Sequence, residues 1–276
     1  MNDITYIVPS KNDNYDPQNL DKLILSINTN VGQLLNLNLD VEAILLDWAS
    51  DIPFYTLDKI KSEIKVPVKH IYVDKSILIS DGLNPDRYYE YFVKNVGIKR
   101  ANNKYVLLEN SDIINDEELA KSIETVVREG KDNVYFRPTI RVNVWYPNID
   151  EYTHYNTIDD KPLGDLNPGD FMMATKANWL AAQGYDETNS GHRGTHRQTN
   201  MDVEMLYQFN RIGIQVYFVG GYYRHLEHDR AGTAEQKFGM SAATRNINGY
   251  KNRTSWGFTT ANEKVENGIT ILTSKI

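Results

Sequence analysis

The chain has 276 residues, of which 41% are hydrophobic and 24% charged, and a net charge of -7. That length can bury a large core as one α/β domain or two small ones, and the acidic balance argues against a sequence-independent nucleic-acid binder, which needs a basic face. The absence of cysteine excludes disulfides, thiolate chemistry and cysteine-ligated zinc, and no run approaches the roughly 18 apolar residues of a membrane helix.

From Met1-Asn2-Asp3 the chain passes straight into ITYIV with no basic segment, so no signal peptide is expected and a cytoplasmic location follows. Ile4 to Val8 reads as a buried strand, halted by Pro9-Ser10-Lys11-Asn12-Asp13. Leu20, Leu23, Ile24 and Ile27 then fall at near-helical spacing. Val41 to Leu46 is a second strand ending in Asp47-Trp48. Pro53 can open the next helix, with Leu57, Ile60 and Ile64 on one stripe. Val68 to Val73 is a third strand ending in Asp74, and a helix runs from Asp86 toward Ala101. Tyr105 to Leu108 is a fourth strand, followed by Glu109, Asn110, Ser111 and Asp112. The next helix, Asp116 to Glu129, is acidic at its start, as the helix dipole favours, and Asn115 or Asp112 can cap it. This alternation predicts a sheet with crossover helices, doubly wound.

Beyond Val134 to Phe136 the rhythm breaks. Arg137 to Pro168 reads as an insertion or edge hairpins. Phe171 to Thr175 resumes a strand, and Ala177 to Ala182 is a short helix. Ser190 to Asn200 is a polar, basic loop whose His192, Arg193, His196 and Arg197 could form a lid over phosphates. Asp202 to Arg211 is helical. Gln215 to Val219 and Tyr222 to His225 read as two short strands around a Gly220-Gly221 turn, and Asp229 to Ile276 has few apolar runs until Ile269 to Leu272.

Four strands each end in a polar cluster: Ser10 to Asp13, Asp47, Asp74, and Asn110 to Asp112. At one edge of one sheet they would form a polar rim where α/β proteins bind ligands. Hard divalent cations want one or two carboxylates there, with substrate phosphates completing the shell. Neither GxGxxG nor GxxxxGK occurs, which disfavours a dinucleotide enzyme and a P-loop NTPase.

In their order these motifs resemble a GT-A glycosyltransferase of the family 2-like kind. The matches are IVPSKND, AILLDW, Asn95, Gly97 and Ala101 in KNVGIKRANNKYVLLENSD, FMMATKANWLAAQGYDE, NMDVEMLYQFNRIG and the histidines of YYRHLEH. The resemblance covers roughly residues 4–230. It implies a single GT-A domain: a Rossmann-like mixed, mostly parallel sheet flanked by helices. About 1–115 would bind the nucleotide, about 116–230 the acceptor, and 231–276 would be a C-terminal extension. It implies a metal-dependent, inverting hexosyltransferase that uses a nucleotide-sugar, UDP-linked, and a glycan acceptor. Mn²⁺ or Mg²⁺ would sit at Asp112 and His225, with His228 a lesser candidate. Asp202 would be the base. Pro9, Ser10, Asn12, Asp47, Asp74, Asn95, Lys99, Asn110 and Ser111 would hold the donor, and Trp179, Tyr185 and Asp186 the acceptor. The acceptor could also hold the protein at a membrane surface. Two departures stand out: Asn110 replaces the first aspartate of D-x-D, and Met201 replaces the acidic residue before Asp202. They leave open a non-catalytic glycan- or nucleotide-binding relative. A sugar-nucleotidyltransferase is disfavoured because the glycine- and lysine/arginine-rich loop after its first strand is absent. Glu109 should point away from Asn110 and Asp112 by strand alternation, and Glu204 away from Asp202, toward solvent.

Overall fold

A computed structural model describes residues 3–13, 16–150, 152–157, 169–188, 201–227 and 250–275. Its centre is a run of parallel strands in which β1 (Ile4–Ser10) lies between β2 (Val41–Trp48) and β4 (Tyr105–Glu109), with β3 (Lys69–Val73) beyond β2. Hydrophobic faces on both sides of β1 explain why the strand is an unbroken apolar run. Tyr6 and Val8 pack with α1 (Asn19–Asn36) through Leu23, Ile27, Val31 and Leu34, and with α5 (Glu117–Glu129). Ile7 faces the other way, toward α4 (Glu90–Arg100). Gly97 is what lets α4 lie against the sheet, because a Cβ there would meet side-chain carbons of Ile7 and Leu46, each at 2.8 Å.

Past β4 the sheet turns mixed. The order is β10 (Asn262–Glu266), β11 (Ile269–Thr273), β3, β2, β1, β4, β8 (Phe171–Thr175), β6 (Val134–Trp145), β9 (Gln215–Glu227) and β5 (Ile113–Asn115), and β7 (Tyr152–Thr157) pairs with β6 as an antiparallel hairpin. β8 (Phe171–Thr175) runs antiparallel to β4 and β6, while β6 and β9 (Gln215–Glu227) are parallel to each other. Seven of the eleven strands point the same way (β1, β2, β3, β4, β6, β9 and β11), so the sheet is mixed and mostly parallel, with helices on both faces.

Several local expectations are corrected. Asp74 does not simply end a strand: it accepts from Ser76 N at 2.8 Å and caps a further short helix, α3 (Lys75–Ser80). Asp112 is followed by a three-residue strand, β5 (Ile113–Asn115), antiparallel to β9, and the cap of α5 is Asp116, which accepts from Leu119 N. The Gly220-Gly221 pair is not a turn between two strands. β9 continues through it, and its register against β6 shifts between Pro138 and Ile140, where proline has no N–H to donate. Gly221 has φ +82, and a Cβ there would lie 2.2 Å from Leu119 N.

The last described segment is built into the sheet. A 3-10 turn (Trp256–Phe258) packs on α4, and β11 (Ile269–Thr273) lies parallel to β3 with β10 (Asn262–Glu266) outside it. The short helices α2 (Asp58–Glu63) and α6 (Lys176–Ala182), and then α7 (Met201–Arg211), complete the described helices. No helix among the described residues is long and apolar enough to cross a membrane.

Candidate functional site

The parallel strands deliver their carboxyl ends to one edge, and β6 and β9 run on past it. The late residues of β9 therefore lie against the segment that follows β4. Leu226 N donates to Asp112 O at 2.8 Å, and His225 pairs with Ile113. The same geometry sets His225 Nε2 3.4 Å from Asp112 Oδ2, while Nδ1 lies 3.6 Å from Glu227 Oε1. Residues 113 apart in sequence thus meet at the edge, with both side chains mostly enclosed.

Opposing effects act on His225. Burial lowers the pKa of its imidazole, but the charge and hydrogen bond of Asp112, together with Glu227 and Asp170, outweigh this and push it up to about 10. Across the same edge, Asp202 lies in the first turn of α7, and its Oδ2 accepts from Gly169 N at 3.1 Å. Burial raises its pKa, against the Val203 N–H, Lys94 and Arg137.

Asn110 alternates with Glu109 as expected. Glu109 turns inward and is wholly buried, accepting from Asn30 Nδ2 at 2.8 Å and Asn115 Nδ2 at 2.7 Å. Burial pushes its pKa up to about 7. Asn110 faces the edge, where its Oδ1 accepts from Lys94 Nζ at 2.8 Å. That ammonium, buried in α4, also donates to Glu90 at 2.5 Å and to Gly169 O at 2.7 Å. One lysine therefore ties the Asn110 loop to the segment that holds Asp202.

The polar rim expected to hold a donor is partly open and partly committed to the protein. Ser10 and Ser111 both meet Asn19 at the start of α1: Asn19 Nδ2 donates to Ser10 Oγ at 3.4 Å, and Ser111 donates to Asn19 Oδ1 at 3.3 Å. Pro9 and Ser10 are buried in β1. Asn12 is half-buried and holds the next loop through Ser50 Oγ at 2.7 Å and Ile52 O at 2.9 Å. Asp47 is 2% exposed and accepts from Ser50 Oγ and from Phe54 N. Burial pushes its pKa up to about 6, opposed by those two hydrogen bonds. Asn95 is buried too, bonded to Tyr185 and Glu187 rather than facing the edge. Lys99 sits 3.7 Å above the Trp256 ring.

Trp179, Tyr185 and Asp186 are each 0% exposed. Trp179 packs on Phe209 and Tyr185 and donates to Val106 O at 3.3 Å, while Asp186 accepts from Thr188. Glu204 is also buried, at 1% exposed, so the solvent-facing expectation is corrected: the second carboxylate of α7 enters the core side of the helix. His228 and the basic residues 192, 193, 196 and 197 lie outside the described residues.

Sequence reasoning passed over Lys94, Arg137, Arg141, Asp170 and Tyr223. Arg137 is wholly buried near Asp170 and Asp202, and Arg141 Nη1 lies 2.6 Å from Asp170 Oδ2. Two arginines inside the otherwise strand-like VYFRPTIRV were the available signal. Lys94 left none, since a lysine on a helix is ordinarily surface.

No protein-family model matches the chain, and no curated protein does. Among solved structures, S. aureus TarS (residues 1–349) is similar at 12% identity with a TM-score of 0.48, over 81% of this chain and 60% of that one. The mannosyltransferase PcManGT from Pyrobaculum calidifontis, in complex with GDP-Man and Mn²⁺, gives 13% and 0.44 over 79% of this chain and 56% of that one. The catalytic domain of Drosophila beta1,4galactosyltransferase 7, in complex with xylobiose, gives 9% and 0.48 over 99% and 93%. The chain spans less than two thirds of the first two.

Proposed function

We propose that this chain is a metal-dependent, inverting glycosyltransferase of GT-A type that moves a hexose from a UDP-sugar to a glycan hydroxyl. The observation that carries this reading is the Asp112–His225 pair at the carboxyl edge of the parallel strands, with Asp202 held across the same edge by Gly169. A phosphate-bearing donor and a base that takes a hydroxyl proton need those two ends.

The donor set fits a hard divalent cation that shares its shell with phosphate. Asp112 offers a carboxylate and His225 an imidazole; no group of three His, Cys, Asp or Glu forms a complete protein cage among the described residues. Mg²⁺ and Mn²⁺ sites of this kind keep positions for substrate oxygens and water. When bound, such an ion supplies positive charge to the departing diphosphate. Asp202 accepts the acceptor proton, and its raised pKa makes it a stronger base than a solvated aspartate. Ser10, Asn12, Asp74, Asn110 and Ser111 line the donor side, and Asp47 acts by shaping the loop from Ser50 to Phe54.

One observation favours a second reading, a non-catalytic nucleotide- or glycan-binding protein. The position of the first D-x-D aspartate is an asparagine whose oxygen is already occupied by Lys94. Incubation with a panel of UDP- and GDP-sugars and Mn²⁺, with released nucleotide measured, separates the two. The enzyme reading expects one UDP-sugar to be consumed and EDTA to stop the reaction. Nucleotide binding without consumption of any donor, with or without a glycan acceptor, would leave the binding protein.

A further inference from the structure

Between the Asp112–His225 pair and Asp202 lies a second charged pair that the mechanism above does not use. Asp170 Oδ2 accepts from Arg141 at 2.6 Å and from Tyr223 OH at 3.3 Å. Arg141 is itself steadied by Asn143 Oδ1, which accepts from its Nε at 2.9 Å. In the β6–β9 register Arg141 pairs with Tyr223 and Asn143 with His225. Residues two apart on a strand share a face, so these four side chains form one row. The row begins at His225, beside Asp112, and ends at Asp170.

The backbone on either side of Asp170 joins both ends of the site. Asp170 O accepts from Asn110 N at 3.2 Å, and the neighbouring Gly169 N donates to Asp202. The charge of Asp170 acts on both His225 and Asp202. A sugar in transfer must bridge the same two ends, with its anomeric carbon between the departing phosphate oxygen and the hydroxyl whose proton Asp202 takes.

The plain alternative is a structural ion pair. Such an enclosed pair adds little stability, because desolvation offsets the attraction and apolar replacement is often neutral or better. Asp170 and Arg141 also keep 13% and 15% of their side-chain surface exposed, so they are enclosed without being sealed from a ligand.

We propose that Asp170, oriented by Arg141 and Tyr223, binds hydroxyl groups of the transferring sugar and selects which sugar is accepted. This rests on the glycosyltransferase reading and adds the substrate class: a neutral hexose with free hydroxyls, since a carboxylated sugar would set two negative charges together. A carboxylate accepting from a hydroxyl makes a charge-assisted bond, and a site built around such a bond rejects the analogue that lacks it.

The test compares wild type with Asp170→Asn for UDP affinity by calorimetry and for kcat/KM on the best donor, its epimers and its monodeoxy forms. Wild type should lose about 10- to 100-fold at one deoxy position. Asp170→Asn should bind UDP within about twofold of wild type, lose a similar factor on the best donor, and no longer distinguish the critical deoxy donor. Unchanged discrimination in a folded, active variant would overturn the proposal while leaving the enzyme reading intact. Wild type that neither binds nor consumes any nucleotide-sugar would overturn both. If Asp170→Asn does not fold, the deoxy series on wild type decides: equal kcat/KM for every monodeoxy neutral donor, or a preferred carboxylated sugar, would overturn the proposal.

Discussion

His225 must give up a proton before its Nε2 can bind a metal. The charge and hydrogen bond of Asp112 beside it favour the protonated imidazole. Metal and proton would therefore compete at this imidazole, and Mn²⁺ affinity should rise with pH between about pH 6 and 8, a rise lost in His225→Gln. Isothermal titration at three pH values checks this, and a flat wild-type profile would remove His225 from the ligand set. Asp202→Asn should lower turnover by about 10²- to 10⁴-fold while UDP affinity holds; steady-state rates beside calorimetry test that split. Glu187 gives a stability prediction. Burial raises its pKa to about 7 against the bonds from Asn95 and the Gly257 N–H, starting from an ordinary 4.5. Between about 4.5 and 7 the folded state keeps a proton that the unfolded chain has released, so stability falls as pH rises through that window. Glu187→Gln removes the titration. Its stability relative to wild type should improve from pH 4.5 to pH 8 by roughly 2–3 kcal/mol, read by urea denaturation; a pH-independent difference would mean that Glu187 titrates normally. At this scale the sequence revealed residue types better than directions. Asp112 and His225 were legible from their motifs and do meet. Asn95 and Trp179 were equally visible, but nothing in a motif says which helix face is turned inward, and both are buried.

The elements were legible where the apolar period was long. β1, β2, β4 and α5 lie within a few residues of their expected bounds because unbroken apolar runs and the Gly130 stop, at φ +67, leave little choice. The failures fall where one residue type serves two geometries. Gly220-Gly221 carries the signature of a turn but forms a bulge, because β6 offers β9 a partner on both sides of it. The bulge brings the backbone onto the start of α5, where Asp116 Oδ1 accepts from both Leu119 N at 2.9 Å and Tyr222 N at 3.0 Å. Gly221→Ala should therefore destabilise the fold by more than ~1 kcal/mol, since it combines positive φ with a backbone clash. Because His225 and Leu226 lie four and five residues farther along β9, the same change should weaken Mn²⁺-UDP binding. Thermal melts with and without Mn²⁺-UDP measure both effects; unaltered melts would show that the bulge tolerates a side chain.

Across the whole molecule, the segment from Tyr250 to Lys275 closes the β3 side of the sheet. Phe258 stacks on Trp48 at 6.0 Å, Arg100 donates to Gly257 O at 2.8 Å and Phe258 O at 3.1 Å, and Arg253 grips Asp81 through both carboxylate oxygens. Composition alone hid this, because only Ile269 to Leu272 forms an apolar run and its partner strand lies about 200 residues earlier. Phe258→Ala should cost about 3–5 kcal/mol as a core truncation, which chemical denaturation would register. In the proposed function, Asp112 and His225 bind a nucleotide diphosphate through a divalent cation. The most direct test of this is calorimetric titration of UDP into the protein with Mn²⁺, repeated in EDTA and with Asp112→Asn. UDP should bind with Mn²⁺ and cease to bind in EDTA and in the variant; equal UDP affinity under all three conditions would show that neither Asp112 nor a metal holds the diphosphate.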